Sequence, residues 1–310
     1  MRIRATVAAV SGALALSALV VPAAHADGST PDRDAAAKAV QAARQADSGR
    51  SAFSTSADDE GVPYALDATF SNVAVNKGKA IVAGISKKVS VPVSFTITHA
   101  ADVDVAAGDF YAGVDLYRGG SYENAEYILS SEDPATCTVS SATVARCTET
   151  IVINPAQDLI NGDAGAWKAD AYAVAFNGQD PTSPSLDLSK VGVAEKDGYA
   201  APSLQRYSKL TVNASPEPVK KNRTITVTGT LSRANWDTGT YAGYTVQSVK
   251  LQFKKKGADS YSTLKTITSG SRGALRTTVK ASADGTFRYS FAGTSTTPAV
   301  SSSGDAVDVR

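Results

Sequence analysis

The sequence predicts an all-β protein that folds as two tandem antiparallel β-sandwiches. Short segments with a hydrophobic period of two follow one another from about residue 66 to the C-terminus. Gly, Pro, Asn and Asp separate these segments, as turns between short strands require. The charge also changes sign along the chain. Residues 27–207 hold 14 Lys and Arg against 24 Asp and Glu, and residues 208–310 hold 15 against 6, which indicates two separately built modules.

The N-terminus has the pattern of a secretory signal peptide. Arg2 and Arg4 precede an apolar run at residues 5–21, and Ala24 and Ala26 are the small residues that mark cleavage after Ala26. The run is short for a membrane span. The sequence shows no lipid-attachment cysteine, anchor or sorting tail. We therefore expect residues 1–26 to be removed, leaving a secreted, extracellular protein whose mature chain does not span a membrane.

Residues 27–61 are predicted to form a flexible leader or propeptide. The part at 35–46 is rich in Ala, Gln, Arg and Asp and suits a short helix, but it shows no apolar stripe to bury. Ser and Asp dominate residues 48–61. Such a composition favours a mobile arm over part of a folded domain.

The first predicted sandwich occupies residues 62–205. Apolar residues alternate with hydroxyl-bearing residues over 89–97, and the alternation returns at 110–116. Further β-segments are predicted at 136–153, 167–176 and 186–193. Pro92 has no amide hydrogen to donate to a β-ladder, so we expect a strand edge or bulge at that position.

Cys137 and Cys147 are the two cysteines of the chain. In an exported protein an even number of cysteines favours a disulfide. The two positions are symmetric about Ala142, as opposed residues of a hairpin are, and the same register pairs Val139 with Ala145 on the cysteine face. We predict a structural disulfide that stabilises the fold by about 3 kcal/mol. A redox role is disfavoured because the C-x-x-C spacing is lacking.

Several segments carry a family resemblance. They are residues 209–221 (KLTVNASPEPVKK), 249–256, 279–285 and 291–298, together with the cysteine hairpin and residues 158–167. Over about residues 62–310 the chain resembles secreted actinomycete proteins with tandem immunoglobulin-like β-sandwich domains. The resemblance implies immunoglobulin-like sandwiches at 62–205 and 206–310. It implies no activity, since the function of these domains is unknown.

The second sandwich has a basic strand face. Inward positions are apolar on alternate residues over 249–253, so Lys250, Lys254 and Lys256 project from the opposite face, and Arg288 projects likewise from a neighbouring strand. An immunoglobulin-like strand order places the two strands side by side. We predict a binding site for an extracellular polyanion such as a cell-wall polymer. The alternative is that these cations only keep the sheet soluble and unpaired. Nucleic acid is disfavoured because no aromatic residues alternate with the basic ones.

Calcium binding is a second hypothesis. Asp102, Asp104 and Asp109 crowd one predicted loop, and Ca²⁺ is bound by oxygen ligands. The EF-hand pattern fails, because Ala107 stands at its glycine position and Gly113 at its glutamate position. An irregular loop site is the alternative to solvated turn aspartates.

Tyrosines of the first module suggest a third kind of partner. Tyr111 and Tyr117 alternate with the inward residues of their strand, so we expect them to face solvent near Tyr122 and Tyr127. Exposed aromatic rings can stack on sugars, and tyrosine is also common on sheet surfaces because it packs well there.

Catalysis has little support. His99 is the one histidine after the predicted signal peptide, and no G-x-S-x-G elbow accompanies it. It is expected to be a solvated or hydrogen-bonded loop residue. A hydrolase that uses an unmarked carboxylate pair remains an alternative. The sequence therefore predicts a secreted, monomeric, non-enzymatic interaction or adhesion protein of unknown ligand, without a cofactor unless calcium binds.

Overall fold

The computed structural model describes residues 33–49 and 61–310 of this 310-residue chain. A helix, α1 (Arg33–Gly49), precedes two β-sandwiches. The sheets of both sandwiches are mainly antiparallel, and β1 and β3 pair in parallel with β10, which confirms the predicted all-β fold class. The predicted signal peptide and its cleavage site at Ala26 lie outside the described residues.

The first sandwich contains strands β1 to β10 and a one-turn helix, α2 (Pro155–Asp158), between β8 and β9. The strands are β1 (Tyr64–Ala65), β2 (Ala68–Val75), β3 (Ile81–Ala83), β4 (Val89–His99), β5 (Phe110–Arg118), β6 (Tyr127–Leu129), β7 (Thr136–Ser141), β8 (Val144–Ile153), β9 (Gly165–Ala175) and β10 (Gly192–Arg206). One sheet has the order β2-β4-β8-β7. The other has the order β1-β10-β9-β5-β6, with β3 also paired to β10. This is the ABED sheet opposed to the GFC sheet of an immunoglobulin-like domain.

The second sandwich contains strands β11 to β20. They are β11 (Ser208–Leu210), β12 (Asn213–Ser215), β13 (Thr224–Asn235), β14 (Thr240–Gly243), β15 (Ser248–Lys255), β16 (Ser262–Thr268), β17 (Ala274–Lys280), β18 (Gly285–Phe291), β19 (Val300–Ser301) and β20 (Asp305–Val307). In one sheet β13 pairs with β11, β12, β14 and β17. In the other the order is β16-β15-β18, and β19 and β20 both pair with β18. The two central strands β15 and β18 correspond to C and F of the immunoglobulin-like layout.

Each core is formed by the inward residues of both sheets. Leu116 and Ile151 belong to opposite sheets and to one buried cluster in the first sandwich, and Ile225 and Tyr289 do so in the second. Gly229 of β13 is required by the second core, since a Cβ there would lie 2.2 Å from the carbonyl oxygen of Thr211. The alternation of apolar and polar residues along the strands thus gives each sandwich its own hydrophobic core.

The prediction of a mobile leader is wrong for residues 33–49. Helix α1 buries Ala35, Ala36, Ala39 and Val40 on one side. This stripe packs on the outer face of β5, β9 and β10, where the buried aromatic and aliphatic side chains are Tyr111, Tyr172, Val174, Phe176 and Val193. Alanines at helical spacing form an apolar face that sequence reading did not recognise, because each side chain is small.

The expectation that Tyr111 and Tyr117 face solvent is also wrong. Both occupy the outward positions of β5 as predicted, yet both are buried, and Tyr127 is buried as well. Tyr117 instead donates a hydrogen bond to Asp197 of β10. The sugar-stacking surface predicted from these rings is therefore not exposed.

Strand β10 differs from its prediction at both ends. The segment 186–193 was expected to be a strand, but Leu188–Lys190 forms a 3₁₀ turn and the strand begins at Gly192. At its other end β10 continues through Pro202, where the pairing register with β9 shifts between Ala201 and Leu204. The irregularity accommodates a residue that cannot donate to the ladder.

The two sandwiches share a packed joint. The chain that follows β13 carries Trp236 into the core of the first sandwich, where Ala234 is also buried. The backbone amide of Trp236 donates to Asn161 Oδ1 at 3.0 Å, and the amide of Asn161 donates to Asp237 at 2.9 Å. Arg206 Nε donates to the carbonyl oxygen of Ala234 at 2.6 Å. These contacts connect the domains by side chains as well as by the backbone.

Candidate functional site

The basic face of the second sandwich lies across strands β15 and β18. These strands are antiparallel neighbours, with Lys250 opposite Ser290, Gln252 opposite Arg288 and Lys254 opposite Thr286. Side chains directly opposite one another share a face of the sheet. Lys250, Lys254 and Arg288 therefore project from one outer surface, which we call the cationic face.

A tyrosine lies on the cationic face. The ring of Tyr261, which precedes β16, has the guanidinium carbon of Arg288 at 3.8 Å from its centroid and the ammonium of Lys254 at 5.3 Å. Arg288 Nε also donates to Gln252 Oε1 at 2.8 Å. No aromatic residue alternates with the basic ones in the sequence, but the tertiary structure places the Tyr261 ring beside Arg288 and Lys254. Tyr261 lies in a loop that folds back over the sheet, so the local sequence pattern gave no signal for it.

Gly304 makes room for this ring. A Cβ at Gly304 would lie 2.9 Å from the Tyr261 hydroxyl and 2.2 Å from Thr286 Cγ2. A side chain there would therefore displace one of these groups. The arrangement of Tyr261 on Arg288 depends on a glycine from the far end of the chain.

The cations of the face differ in their partners. Within residues 33–49 and 61–310, Lys250, Lys254 and Arg288 have no carboxylate within 4.0 Å, so their charges are available to a ligand. Lys256 lies beyond the end of β15 and is 3.9 Å from the carboxylate of Asp284. The structure brings three of the predicted cations together and places the fourth at the margin.

The three aspartates proposed for calcium do not form one site. Asp104 Oδ1 accepts the amide of Ala106 at 3.0 Å, and the carboxylate of Asp109 accepts the amide of Gly178 in a different loop. In the part of the chain that the structure describes, no group of three or more His, Cys, Asp or Glu side chains is close enough to hold a metal ion. Hydrogen bonds from backbone amides to Asp104 and Asp109 order the loops.

His99 is buried at the end of β4 rather than solvated. Its Nδ1 donates to the carbonyl oxygen of Ala100 at 2.9 Å, and Nε2 is buried without a hydrogen-bond partner. A ring enclosed in this way is not accessible to a substrate. Of the two alternatives predicted for His99, the hydrogen-bonded one is found and the solvated one is wrong.

A depression of about 540 Å³ on the first sandwich contains two carboxylates, Asp133 and Glu149. Glu149 accepts the backbone amide of Val114 at 2.7 Å. Strand β6 pairs with β5 only from Leu116 onward, so Glu149 satisfies a β5 amide that has no strand partner. Burial raises the pKa of Glu149 to about 8. Its carboxyl group therefore serves as a hydrogen-bond acceptor for the backbone of β5.

Ion pairs join two arginines of α1 to carboxylates of the sheet beneath it. Arg44 lies 3.0 Å from Asp170 and 2.6 Å from Glu195, and Arg33 lies 3.6 Å from Asp115. Burial raises the pKa of Asp170 to about 9, with a further contribution from the charge of Glu195, whereas Arg44 opposes the shift. The sequence analysis did not single out these strand carboxylates, because it did not place a helix against this face of the sheet.

The cysteines form the expected hairpin. Cys137 and Cys147 are directly opposite on β7 and β8 and are joined by a disulfide, and Val139 is opposite Ala145. Ala145 and Cys147 are buried, but Val139 is 50% exposed. Val139 thus lies opposite Ala145 as predicted, and the register shifts just after it, next to the turn of the hairpin.

Comparison with known proteins gives only distant likenesses. No family model and no curated protein matches the chain. Among solved structures, the Escherichia coli adhesin FdeC is 13% identical, with a TM-score of 0.29, and the match covers 79% of this chain and 65% of that one. The Yersinia pseudotuberculosis adhesin InvE is 10% identical, with a TM-score of 0.23, and the match covers 78% of this chain and 58% of that one.

The ectodomain of mouse nectin-like molecule 4 is a third structural neighbour. It is 12% identical, with a TM-score of 0.22, and the match covers 79% of this chain and 65% of that one. The chain thus spans less than two thirds of the length of each of these three proteins. Identities of this size assign the chain to no family. Separately, none of the helices in the described residues has the length and apolar character of a membrane span.

Proposed function

We propose that the chain is an extracellular, non-enzymatic interaction protein whose second sandwich binds an anionic polymer through the cationic face. The observation that carries this proposal is the stack of Arg288 on Tyr261, with Lys250 and Lys254 on the neighbouring strand. A guanidinium held against a ring and bonded to Gln252 has already lost much of its rotational freedom. Its ordering therefore costs little free energy when an anion binds.

A polymer suits this surface better than a small ligand. Lys250 and Lys254 are four residues apart on one strand, about 13 Å, and Arg288 lies on the next strand. Such a spacing matches repeated phosphate or carboxylate groups along a chain. Residues 208–310 hold 15 Lys and Arg against 6 Asp and Glu, so the whole domain attracts a polyanion before contact.

Charge reversal tests the proposal. The mature chain is titrated with teichoic acid, with an acidic polysaccharide and with single-stranded DNA, each with and without EDTA. Lys250→Glu/Lys254→Glu/Arg288→Glu is expected to weaken binding to the preferred polymer by about tenfold or more and to flatten its salt dependence. Binding that survives EDTA is expected, because the proposed contacts need no metal ion.

The matched control is Lys220→Glu/Lys221→Glu/Arg223→Glu. These three exposed residues lie in the same domain but precede β13 and belong to neither β15 nor β18, and their reversal changes the net charge equally. Their variant is expected to keep most of the affinity. Equal losses in both variants would point to the overall charge of the domain, and unchanged binding after reversal of the face would refute the site.

A further inference from the structure

A depression of about 390 Å³ lies where the cationic face ends, and we call it the end depression. Lys254 of the face lines it, together with Thr286, which is opposite Lys254 on β18. Residues 255–258, which follow or end β15, and residues of β20 complete its lining. A polymer that lies on the cationic face therefore reaches this depression along one continuous surface.

Two lysines of the end depression have no anionic partner. Among the residues that the structure describes, no carboxylate lies within 4.0 Å of Lys254 or Lys255. The ammonium of Lys254 lies 5.3 Å from the centroid of the Tyr261 ring, and Lys255 is exposed. Both positive charges are therefore available to a ligand.

The carboxylates of the end depression already have partners. Asp284 Oδ1 accepts the backbone amide of Val309 at 2.8 Å, and its Oδ2 lies 3.9 Å from the ammonium of Lys256. The carboxylate of Asp308 lies 3.0 Å from Arg310 Nε. Because each aspartate has its own partner, neither neutralises the two unpaired lysines. The depression thus favours an anion.

A backbone amide adds a further donor. Gly257 lines the end depression and has a φ of 81°, which glycine adopts readily. On either side of it, the amide of Lys256 donates to the carbonyl oxygen of Asp284 and that of Ala258 donates to the carbonyl oxygen of Lys255, each at 2.9 Å. In the described part of the chain the amide of Gly257 donates to no acceptor. Free amides in turns with a left-handed residue are anion-binding groups.

We propose that the end depression binds a terminal phosphate group of the polymer that lies on the cationic face. This inference rests on the proposed function, because it takes the same polymer as the ligand. A phosphate monoester at a chain end carries a charge of about −1.5 to −2 at neutral pH and has three acceptor oxygens. An internal phosphodiester carries a single charge. Two unpaired lysines and a free amide match the doubly charged end, so the protein recognises where the polymer stops.

Inorganic phosphate tests the depression without the polymer. The ¹⁵N-labelled mature chain is titrated with phosphate at constant ionic strength, and the amide resonance of Gly257 is expected to shift until it saturates. Affinity should be higher at about pH 7.5 than at about pH 5.5, because phosphate loses its second proton near pH 6. Lys255→Ala should weaken binding about threefold, and Arg276→Ala, at an exposed position of β17, should not. A Gly257 resonance that does not respond would overturn the proposal.

Phosphatase treatment separates recognition of the end from binding along the face. Teichoic acid is compared before and after treatment, which removes monoesters at chain ends and leaves the internal diesters. The wild type is expected to bind the treated polymer about threefold more weakly, and Lys255→Ala should bind both forms alike. Lys250→Glu/Arg288→Glu, which leaves the end depression intact, should weaken binding to both forms.

The outcomes for the two sites differ. Equal affinity of the wild type for treated and untreated polymer would overturn recognition of the end, even if the cationic face binds. A Gly257 response to phosphate without any binding of teichoic acid would refute the cationic face as its binding site and support the end depression as an anion site.

Discussion

The indole Nε1 of Trp236, in the second domain, donates a hydrogen bond to the carbonyl oxygen of Gly84, in the first, at 2.7 Å. Trp236 is nearly fully buried and belongs to the core of the first sandwich. One domain therefore completes the interior of the other. Because both the ring and its N–H are satisfied there, the joint has a defined geometry.

Removing this ring should loosen the joint. Trp236→Ala leaves a cavity and an unsatisfied carbonyl group, and we expect the free energy of unfolding to fall by about 3–5 kcal/mol. Trp236→Phe retains most of the packing and should lose much less. Guanidinium unfolding measures the stability, and small-angle scattering measures the spread of domain arrangements. A loss below about 1 kcal/mol for the alanine variant would contradict the role of the joint.

Asp170 makes stability depend on pH. Burial raises its pKa to about 9, so the folded chain keeps a proton that the unfolded chain, with a pKa near 3.8, has released. The free energy of unfolding should therefore decrease as the pH rises from about 4 to about 9. Asp170→Asn does not titrate and should make this decline shallower in urea unfolding, and the remaining decline is expected from Glu149, whose pKa burial also raises. Asp180→Asn, at an exposed loop carboxylate, is the control that should leave the slope at alkaline pH unchanged.

The disulfide should contribute measurably to stability. Cys137→Ala/Cys147→Ala opens a loop closed by residues ten positions apart, and the chain-entropy relation gives a loss of about 3 kcal/mol. Denaturant unfolding of this variant should match that of the reduced wild-type protein. A variant as stable as the oxidised protein would show that the crosslink has no structural role.

Tyr261 should contribute to binding through Arg288. Tyr261→Ala removes the ring that lies 3.8 Å from the guanidinium, and a cation–π contact of about 0.5–2 kcal/mol corresponds to a loss of about 2- to 30-fold in affinity. Tyr261→Phe keeps the ring and should bind as the wild type does. Calorimetric titration with the polymer identified for the cationic face compares the two. Equal affinity of the alanine variant would show that the stack does not prepare Arg288 for an anion.

The strands and their inward-facing residues could largely be predicted, because the alternation of apolar and polar residues is a property of neighbouring positions in the sequence. Residues 89–97 alternate, and β4 buries the predicted apolar set from Val91 to Ile97, with Val89 half-buried at its start. The β2 partner of β4 ends opposite Val93, so Pro92 lies where β4 has no neighbour on that side, as its missing amide hydrogen requires. The register of Cys137 and Cys147 followed from the same counting.

The candidate site was predicted only in part. Lys250 and Arg288 could be placed side by side, because strand order and alternation are sufficient to assign them to one face. Tyr261 could not be placed there, since a loop residue has no period. Asp104 and Asp109 were read as one group from their proximity in sequence, but Asp109 turns to Gly178 in another loop.

By itself, the sequence determined the strands, their inward faces, the pairing of the cysteines and the separation of charge between the two halves. These features follow from a side-chain period of two and from composition. Only the tertiary structure decided which outward faces meet solvent: α1 covers Tyr111, Trp236 enters the first core and Tyr261 stacks on Arg288. Each of these contacts joins residues distant in the chain, and a local pattern shows which residues share a face but not what packs against it.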